Sequence, residues 1–278
     1  WYGDIRLPIT FPEAWDIRMV VATCASALTA EAIAQALETP IGAFSLTEII
    51  QDRTETVAIA VDDLTRPACL QPVVDSLLTL LEQEGMDRGQ IRIIFGVGAH
   101  KPVDGIEIAQ KLGQKAATSV EVLCHDARGN AAEVSLGGGK SVPIHRIFME
   151  ADLKIVISTV TPHLYAGYSG GAKMIFPGLA GLDAITHTHK SVLMGLSGKL
   201  RQIEGNRFRE RIEAVAKIVG VDYSIQLVVN DKRQMSGVFA GDIISAHRVS
   251  VQYAEKIYTT DFPRNLDVVI LNAYPKDT

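Results

Sequence analysis

The stretch Val57-Ala-Ile-Ala-Val-Asp-Asp-Leu-Thr-Arg-Pro67 decides the fold class. Its first five residues are apolar without polar alternation, which suits a strand buried on both faces of a parallel sheet. The run then breaks into two carboxylates, a hydroxyl and a guanidinium, and Pro67 reads as the start of a new helix. Working outward, further strand-like runs occur at 17–22, 91–97, 120–123, 154–158, 225–229 and 266–271. Between them lie helical patterns at 29–38, 70–84, 209–219 and Ser245–Tyr258. Thr29 reads as a cap, and Leu70, Val73, Val74, Leu77 and Leu81 form one apolar stripe. Gly85 and Gly220 stand as stops. The alternation predicts a layered, Rossmann-like α/β domain with a mostly parallel sheet and helices on both faces.

Two segments break the rhythm. Residues 131–144 alternate around Gly137, Gly138 and Gly139 and read as a hairpin. Residues 159–181 are rich in Gly, Ser and Pro and follow a buried strand directly. Loops leaving the C-terminal ends of such strands build the site of an α/β sheet.

The 278 residues suit one large domain or two ordinary ones, and 47% hydrophobic content excludes disorder as the main state. Lys and Arg total 27 against 32 Asp and Glu, a net charge of -5, which argues against a dedicated nucleic-acid binder. Cys24, Cys69 and Cys124 are too few and too far apart for a disulfide framework, so a reducing, cytoplasmic compartment is expected. No apolar run approaches the ~20 residues that span a bilayer. The chain opens on Trp1, so the natural start is expected upstream.

Four motifs could carry chemistry. In the first, Asp62, Asp63, Thr65 and Arg66 stand at one strand exit, more polar groups than capping needs. Asp can accept ribose hydroxyls there, and Arg offers a fork for a carboxylate or phosphate. The plainer alternative is that Asp62 or Asp63 caps the next helix and Arg66 pairs with one of them. The second, Ile91-Arg-Ile-Ile-Phe-Gly-Val-Gly-Ala-His-Lys-Pro102, delivers His100 and Lys101 at another exit. It is no dinucleotide fingerprint, because Lys101 stands where a third glycine belongs. The third runs from Thr161 to Gly178 and contains Gly167-Tyr-Ser-Gly-Gly-Ala-Lys173. Ala172 and Met174 break the P-loop pattern, yet the glycines still offer N–H groups for one phosphate. Lys173 stands beside apolar Met174, Ile175 and Phe176, which would favour a nucleophilic amine; a solvated lysine on a turn is the alternative. The fourth, Asp183-Ala-Ile-Thr-His-Thr-His-Lys190, sets His187 and His189 two apart. On a helix they face different ways, and on an extended segment they share a side. His125, His145 and His247 lack such company and read as structural or surface residues.

Together these motifs resemble the nickel-pincer-nucleotide lactate racemase family. The resemblance runs through Tyr2-Gly3, Asp62-Asp-Leu-Thr-Arg-Pro67, Gly98-Ala-His100, Pro162-His163 and Ala166-Gly-Tyr-Ser-Gly-Gly-Ala-Lys173. It continues in Pro177-Gly-Leu-Ala180, Gly205-Asn206, Val238-Phe-Ala-Gly-Asp242, Ala246-His247 and Asn272-Ala-Tyr-Pro275. It implies a pyridinium mononucleotide bearing two sulfur arms, with nickel held by two sulfurs, a ring carbon and one histidine. By the same resemblance Lys173 would anchor the cofactor covalently and His189 would ligate nickel. Asp63, Leu64, Thr65 and Arg66 would hold the nucleotide, and Arg66 would also reach the substrate carboxylate. His100 and His163 would be the two acid–base groups of a 2-hydroxy-acid racemase or epimerase.

The implied partners are a small 2-hydroxy acid and the enzymes that build the cofactor, with no nucleic acid and no membrane; a homo-oligomer is compatible. The family also has a C-terminal lid domain. Residues 1–262 are therefore expected to form the cofactor-binding domain, with 263–278 as the beginning of a truncated second domain. Two other readings compete: a nucleotide-binding module without turnover, and a metal-dependent hydrolase built on His187 and His189.

Overall fold

The computed structural model describes residues 8–20, 24–50, 55–66, 68–195, 198–261 and 263–270. The chain opens with helices α1 (Ala30–Glu38) and α2 (Leu46–Ile50) and then enters strand β1 (Val57–Val61). Helix α3 (Gln71–Gln83) leads to β2 (Ile91–Phe95), and α4 (Gly105–Leu112) with α5 (Gln114–Ser119) leads to β3 (Glu121–Cys124). A hairpin of β4 (Ala131–Gly137) and β5 (Lys140–His145) follows, then α6 (Arg146–Glu150) and β6 (Leu153–Thr159). The two-residue strands β7 (Pro162–His163) and β8 (Gly167–Tyr168) precede α7 (Leu182–Leu193) and α8 (Arg207–Val219). Strands β9 (Tyr223–Val229) and β10 (Met235–Gly241) and helix α9 (Ser245–Tyr258) complete the described elements.

Local sequence explains several boundaries. Thr29 Oγ1 accepts the Ala32 N–H at 3.3 Å and starts α1. Asp104 and Glu107 form a reciprocal capping box on α4. Asn206 Oδ1 takes the N–H groups of Phe208 and Arg209, and Gly220 ends α8 in the left-handed region at φ +73.

The sheet has six strands in the order β10-β9-β6-β1-β2-β3. All neighbouring pairs are parallel except β9 with β10. The chain therefore winds outward from β1 to β3, returns to the other side of β1 as β6, and winds outward again. Val61 lies in register with Phe95 on one side and Ile157 on the other. On one face Ile59, Ile93 and Ile155 pack with Val73, Leu77 and Leu81 of α3. On the other, Ala58, Ala60 and Val156 pack with Ile144, Phe148 and the Ile212–Val215 side of α8. Each fully buried branched side chain contributes about 1.5–3 kcal/mol of transfer free energy.

Two expectations need correction. No strand forms over 17–20, where Met19 is 87% exposed; residues 21 and 22 lie outside the described residues. None forms over 266–270 either, where Val268 and Ile270 are exposed, and Leu271 is outside the described residues. In both places, among the described residues, the apolar run has no neighbouring strand to bond its backbone. Conversely, β10 was not foreseen: Ser236, Gly237 and Gly241 dilute its apolar pattern, yet it completes the sheet edge. Pro67, expected to start a helix, lies outside the described residues; α3 begins at Gln71. Among the described residues no helix is long and apolar enough to cross a membrane.

Candidate active site

A doubly wound sheet opens a crevice where the strand order reverses. Here that point lies between β1 and β6. A cavity of about 490 Å3 sits there, and Asp63, Arg66, His100, His163, Lys173 and His189 all line it. Leu64 and Thr65 form the turn between Asp63 and Arg66 without lining the cavity.

The two aspartates of the first motif have separate partners. Asp63 Oδ2 lies 2.8 Å from His100 Nδ1, and its Oδ1 accepts the Thr65 N–H at 3.0 Å and the Thr65 hydroxyl. Burial acts to raise the Asp63 carboxyl. Hydrogen bonds from His100 and Thr65, with the charges of His100 and Arg66, outweigh it and bring the group down to about 2. Asp63 is therefore ionised at neutral pH and can only accept, so the proton of a neutral His100 sits on Nδ1. The Arg66 guanidinium folds onto its neighbour, donating to Thr65 O at 3.2 Å and Thr65 Oγ1 at 3.0 Å.

Asp62 borders the same cavity, but its carboxylate is held by groups inside the protein. Its Oδ2 accepts the Thr159 N–H at 2.6 Å, which ties the end of β1 to the end of β6. Its Oδ1 lies 2.7 Å from Lys111 Nζ, a charge contact at an angle outside that of a hydrogen bond. Lys111 also donates to Arg66 O at 3.0 Å. The simple pairing of Arg66 with an aspartate over a helix cap is thus not what forms.

The glycine-rich loop differs from the open phosphate cradle expected of it. Its N–H groups at Ser169, Gly171 and Lys173 are taken by Thr161 O, by Ser158 Oγ with Gln226 Oε1, and by Gly170 O. Its carbonyls are held from below: Arg209 donates to Ala166 O at 3.1 Å and to Tyr168 O, and His247 Nε2 donates to Ser169 O at 2.9 Å. Arg209 is 1% exposed, and burial brings its guanidinium down to about 10 against the pull of Glu213. Burial, followed by the charge of Arg209, pushes His247 well below the usual imidazole range. Gly170 and Gly171 have φ +78 and +57, and an added Cβ would strike Val160 and His247 respectively. The loop is a rigid platform that carries half-buried Lys173 to the cavity.

His163 sits in the small hairpin of β7 and β8. Its Nδ1 accepts the N–H of Tyr165 at 3.2 Å and of Ala166 at 3.1 Å, so the turn of its own hairpin grips the ring. The Tyr165 ring lies between those of His163 and His189, with centroids 6.0 Å from each.

The fourth motif is helical, and the helix separates its two histidines. His189 faces the cavity and lies against Phe208; its Nδ1 is 2.8 Å from Ile185 O, so Nδ1 carries the proton and Nε2 keeps a lone pair. His187 is exposed. A two-histidine centre is therefore not formed, and no cluster of three or more His, Cys, Asp or Glu that could hold a metal occurs among the described residues.

The supporting roles of three residues escaped the sequence reading. Lys111 belonged to no motif, Arg209 looked like one more polar position on an amphipathic helix, and His247 carried no sign of what it would touch. His125 and His145 are held inside, as a structural reading requires: His125 Nε2 donates to Ala180 O at 2.9 Å, and burial brings His145 to about 4.

Comparison with known proteins places the chain in a family. The profile of the lactate racemase N-terminal domain matches residues 2–199. A lactate racemase from Lactiplantibacillus plantarum is 28% identical over 233 residues, 82% of this chain and 54% of that protein. A lactate racemase from Thermoanaerobacterium thermosaccharolyticum is 26% identical over 252 residues, 88% of this chain and 58% of its relative. The chain thus spans little more than half the length of these curated relatives.

Among solved structures, the lactate racemase apoprotein from Thermoanaerobacterium thermosaccharolyticum superposes with a TM-score of 0.77 at 24% identity, over 92% of this chain and 61% of that one. A protein from Thermotoga maritima superposes with a TM-score of 0.67 at 19% identity, over 84% and 61%. At such identities the superpositions speak for the fold alone. The profile match covers most of the chain, and on that ground the protein belongs to the lactate racemase N-terminal domain family.

Proposed function

We propose that this chain is the cofactor-holding part of a racemase for lactate or a similar 2-hydroxy acid, an isomerase. The observation that carries the reading is the convergence of the Asp63–His100 pair, His163, Arg66, Lys173 and His189 on one cavity at the sheet's switch point.

The residues fit a nickel-pincer nucleotide. His189 has its Nδ1–H committed to Ile185 O and its Nε2 lone pair available, the arrangement metal-binding histidines require. Lys173 brings an amine to the same cavity for covalent attachment, and the Asp63-Leu-Thr-Arg66 turn provides polar groups for the nucleotide. When bound, the cofactor supplies a ring that accepts and returns the α-hydride, chemistry no side chain offers.

The chain's own residues do the rest. The Arg66 guanidinium orients the substrate carboxylate. His100 takes the hydroxyl proton at Nε2, and the Asp63 carboxylate stabilises the imidazolium so formed. His163, on the same cavity, serves the opposite enantiomer. The Tyr165 and Phe208 rings beside His189 keep water from that wall. Residues 1–262 form the binding unit in this reading. A cytoplasmic setting accords with free Cys24, Cys69 and Cys124.

Mass spectrometry of protein produced together with the cofactor-building enzymes tests the proposal. A tryptic peptide carrying an adduct on Lys173 is expected. An adduct on Lys101 or Lys190, or unmodified Lys173 in a preparation that racemises lactate, would overturn the assignment. An adduct on Lys173 without racemisation by the full-length protein would point to a nucleotide-binding module instead.

A further inference from the structure

The two cavity histidines are held differently. His100 presents Nδ1 to Asp63 Oδ2 at 2.8 Å, and a carboxylate can only accept. His163 presents Nδ1 to two N–H groups, those of Tyr165 and Ala166, which can only donate. A neutral imidazole has one donor and one acceptor nitrogen, so each set of partners selects one tautomer. Asn206 Nδ2 donates to Tyr165 O at 2.9 Å, which holds the turn whose N–H groups grip His163.

We infer that the two histidines rest with their protons on opposite ring nitrogens: His100 as Nδ1–H, with Nε2 set to take a proton, and His163 as Nε2–H, set to meet substrate as a hydrogen-bond donor. The tautomers follow from geometry alone; the substrate clause rests on the racemase reading of the site. At His100, proton transfer breaks the substrate O–H bond, forms Nε2–H and leaves the positive charge facing the Asp63 carboxylate. At His163, the same transfer requires the ring to turn about Cβ–Cγ or the 163–166 turn to open, because a second ring proton would point at two N–H groups. One enantiomer is therefore oxidised from the resting protein, and the other waits on a rearrangement at His163.

Imidazole 15N–1H spectra of protein labelled in histidine read the tautomers directly. His163→Asn identifies the His163 signals and keeps an acceptor oxygen for the turn; His100→Gln identifies those of His100. If His163→Asn does not fold, coupling across the Ala166 N–H···Nδ1 hydrogen bond makes the same assignment in the unaltered protein. His163 should show a protonated Nε2 and an unprotonated Nδ1. A proton on Nδ1, or an average of the two forms, would overturn the inference.

In the full-length, cofactor-loaded enzyme, first-turnover oxidation of the two enantiomers should differ on the order of 10-fold, the loss expected from breaking two ordinary hydrogen bonds. Equal first turnovers would overturn the donor role. Failure of the racemase reading is separable: it would appear as no racemisation while the tautomers stand.

Discussion

Lys111→Met tests whether a buried cation outside every motif holds the site together. Lys111 is 1% exposed, and its Nζ lies 2.7 Å from Asp62 Oδ1 and 3.0 Å from Arg66 O. Methionine keeps most of the volume and removes the charge. Stranding one member of a buried pair costs about 3–5 kcal/mol. Asp62 retains the Thr159 N–H, which places the expected loss near the lower end, about 3 kcal/mol.

A domain of this size shifts Tm by roughly 2–4 °C per kcal/mol, so a drop on the order of 10 °C is expected. Thermal melts followed by far-UV circular dichroism would measure it, and urea unfolding would give the free energies, with Asp62→Asn and the double variant completing a cycle. Asp62→Asn should itself destabilise, and the double variant should cost less than the two singles summed. A loss from Lys111→Met below about 1 kcal/mol, the range of an exposed pair, or strict additivity with Asp62→Asn would refute the reasoning.

Other outcomes follow from the same geometry. Asp63 is lowered to about 2 from 3.8, so it stabilises the fold above its unfolded value and loses that contribution as pH falls through 3.8 toward 2. Asp63→Asn should therefore cost about 2 kcal/mol at pH 7 and clearly less at pH 3, read by urea unfolding at each pH; an equal gap at both would count against it. Gly170→Ala places a Cβ 2.8 Å from Val160 Cγ2 at φ +78 and should cost roughly 2 kcal/mol or more, whereas Gly138→Ala, with nothing within 4 Å, should cost less in the same melts. His189→Ala should lose nickel while keeping the organic adduct on Lys173, and His187→Ala should keep both; loss of metal from His187→Ala alone would reverse the choice.

The buried parallel strands were legible because burial on both faces leaves an unbroken apolar run, as in Val57–Val61. The same criterion misled at 17–20, since apolar residues declare a preference for burial without supplying a neighbour to pair with. It passed over β10 because an antiparallel edge strand tolerates Ser236 and Gly237. Site residues at strand exits were visible because Asp63 and His100 follow directly on apolar runs. Lys111, Arg209 and His247 were not, because each acts across a long gap in sequence: Lys111 on Arg66, Arg209 on Ala166 and His247 on Ser169. Helical phase did separate His189 from His187, but only once Leu182–Leu193 was known to be a helix.

The tie between Asp62 and the Thr159 N–H bears on recombination and grafting. The turn after β1 and the end of β6 share one carboxylate, and Lys111 of α4 grips both that carboxylate and the Arg66 carbonyl. These three points are one inheritable part, although the chain scatters them over nearly a hundred residues. A chimaera with its crossover between 66 and 111 will join compatible halves only if the parent supplying the later part carries a lysine at the position of Lys111 and the other carries the aspartate at the position of Asp62. A designer moving the Asp63–His100 pair to another doubly wound sheet must bring that cation along, or the transplanted turn will arrive without its anchor.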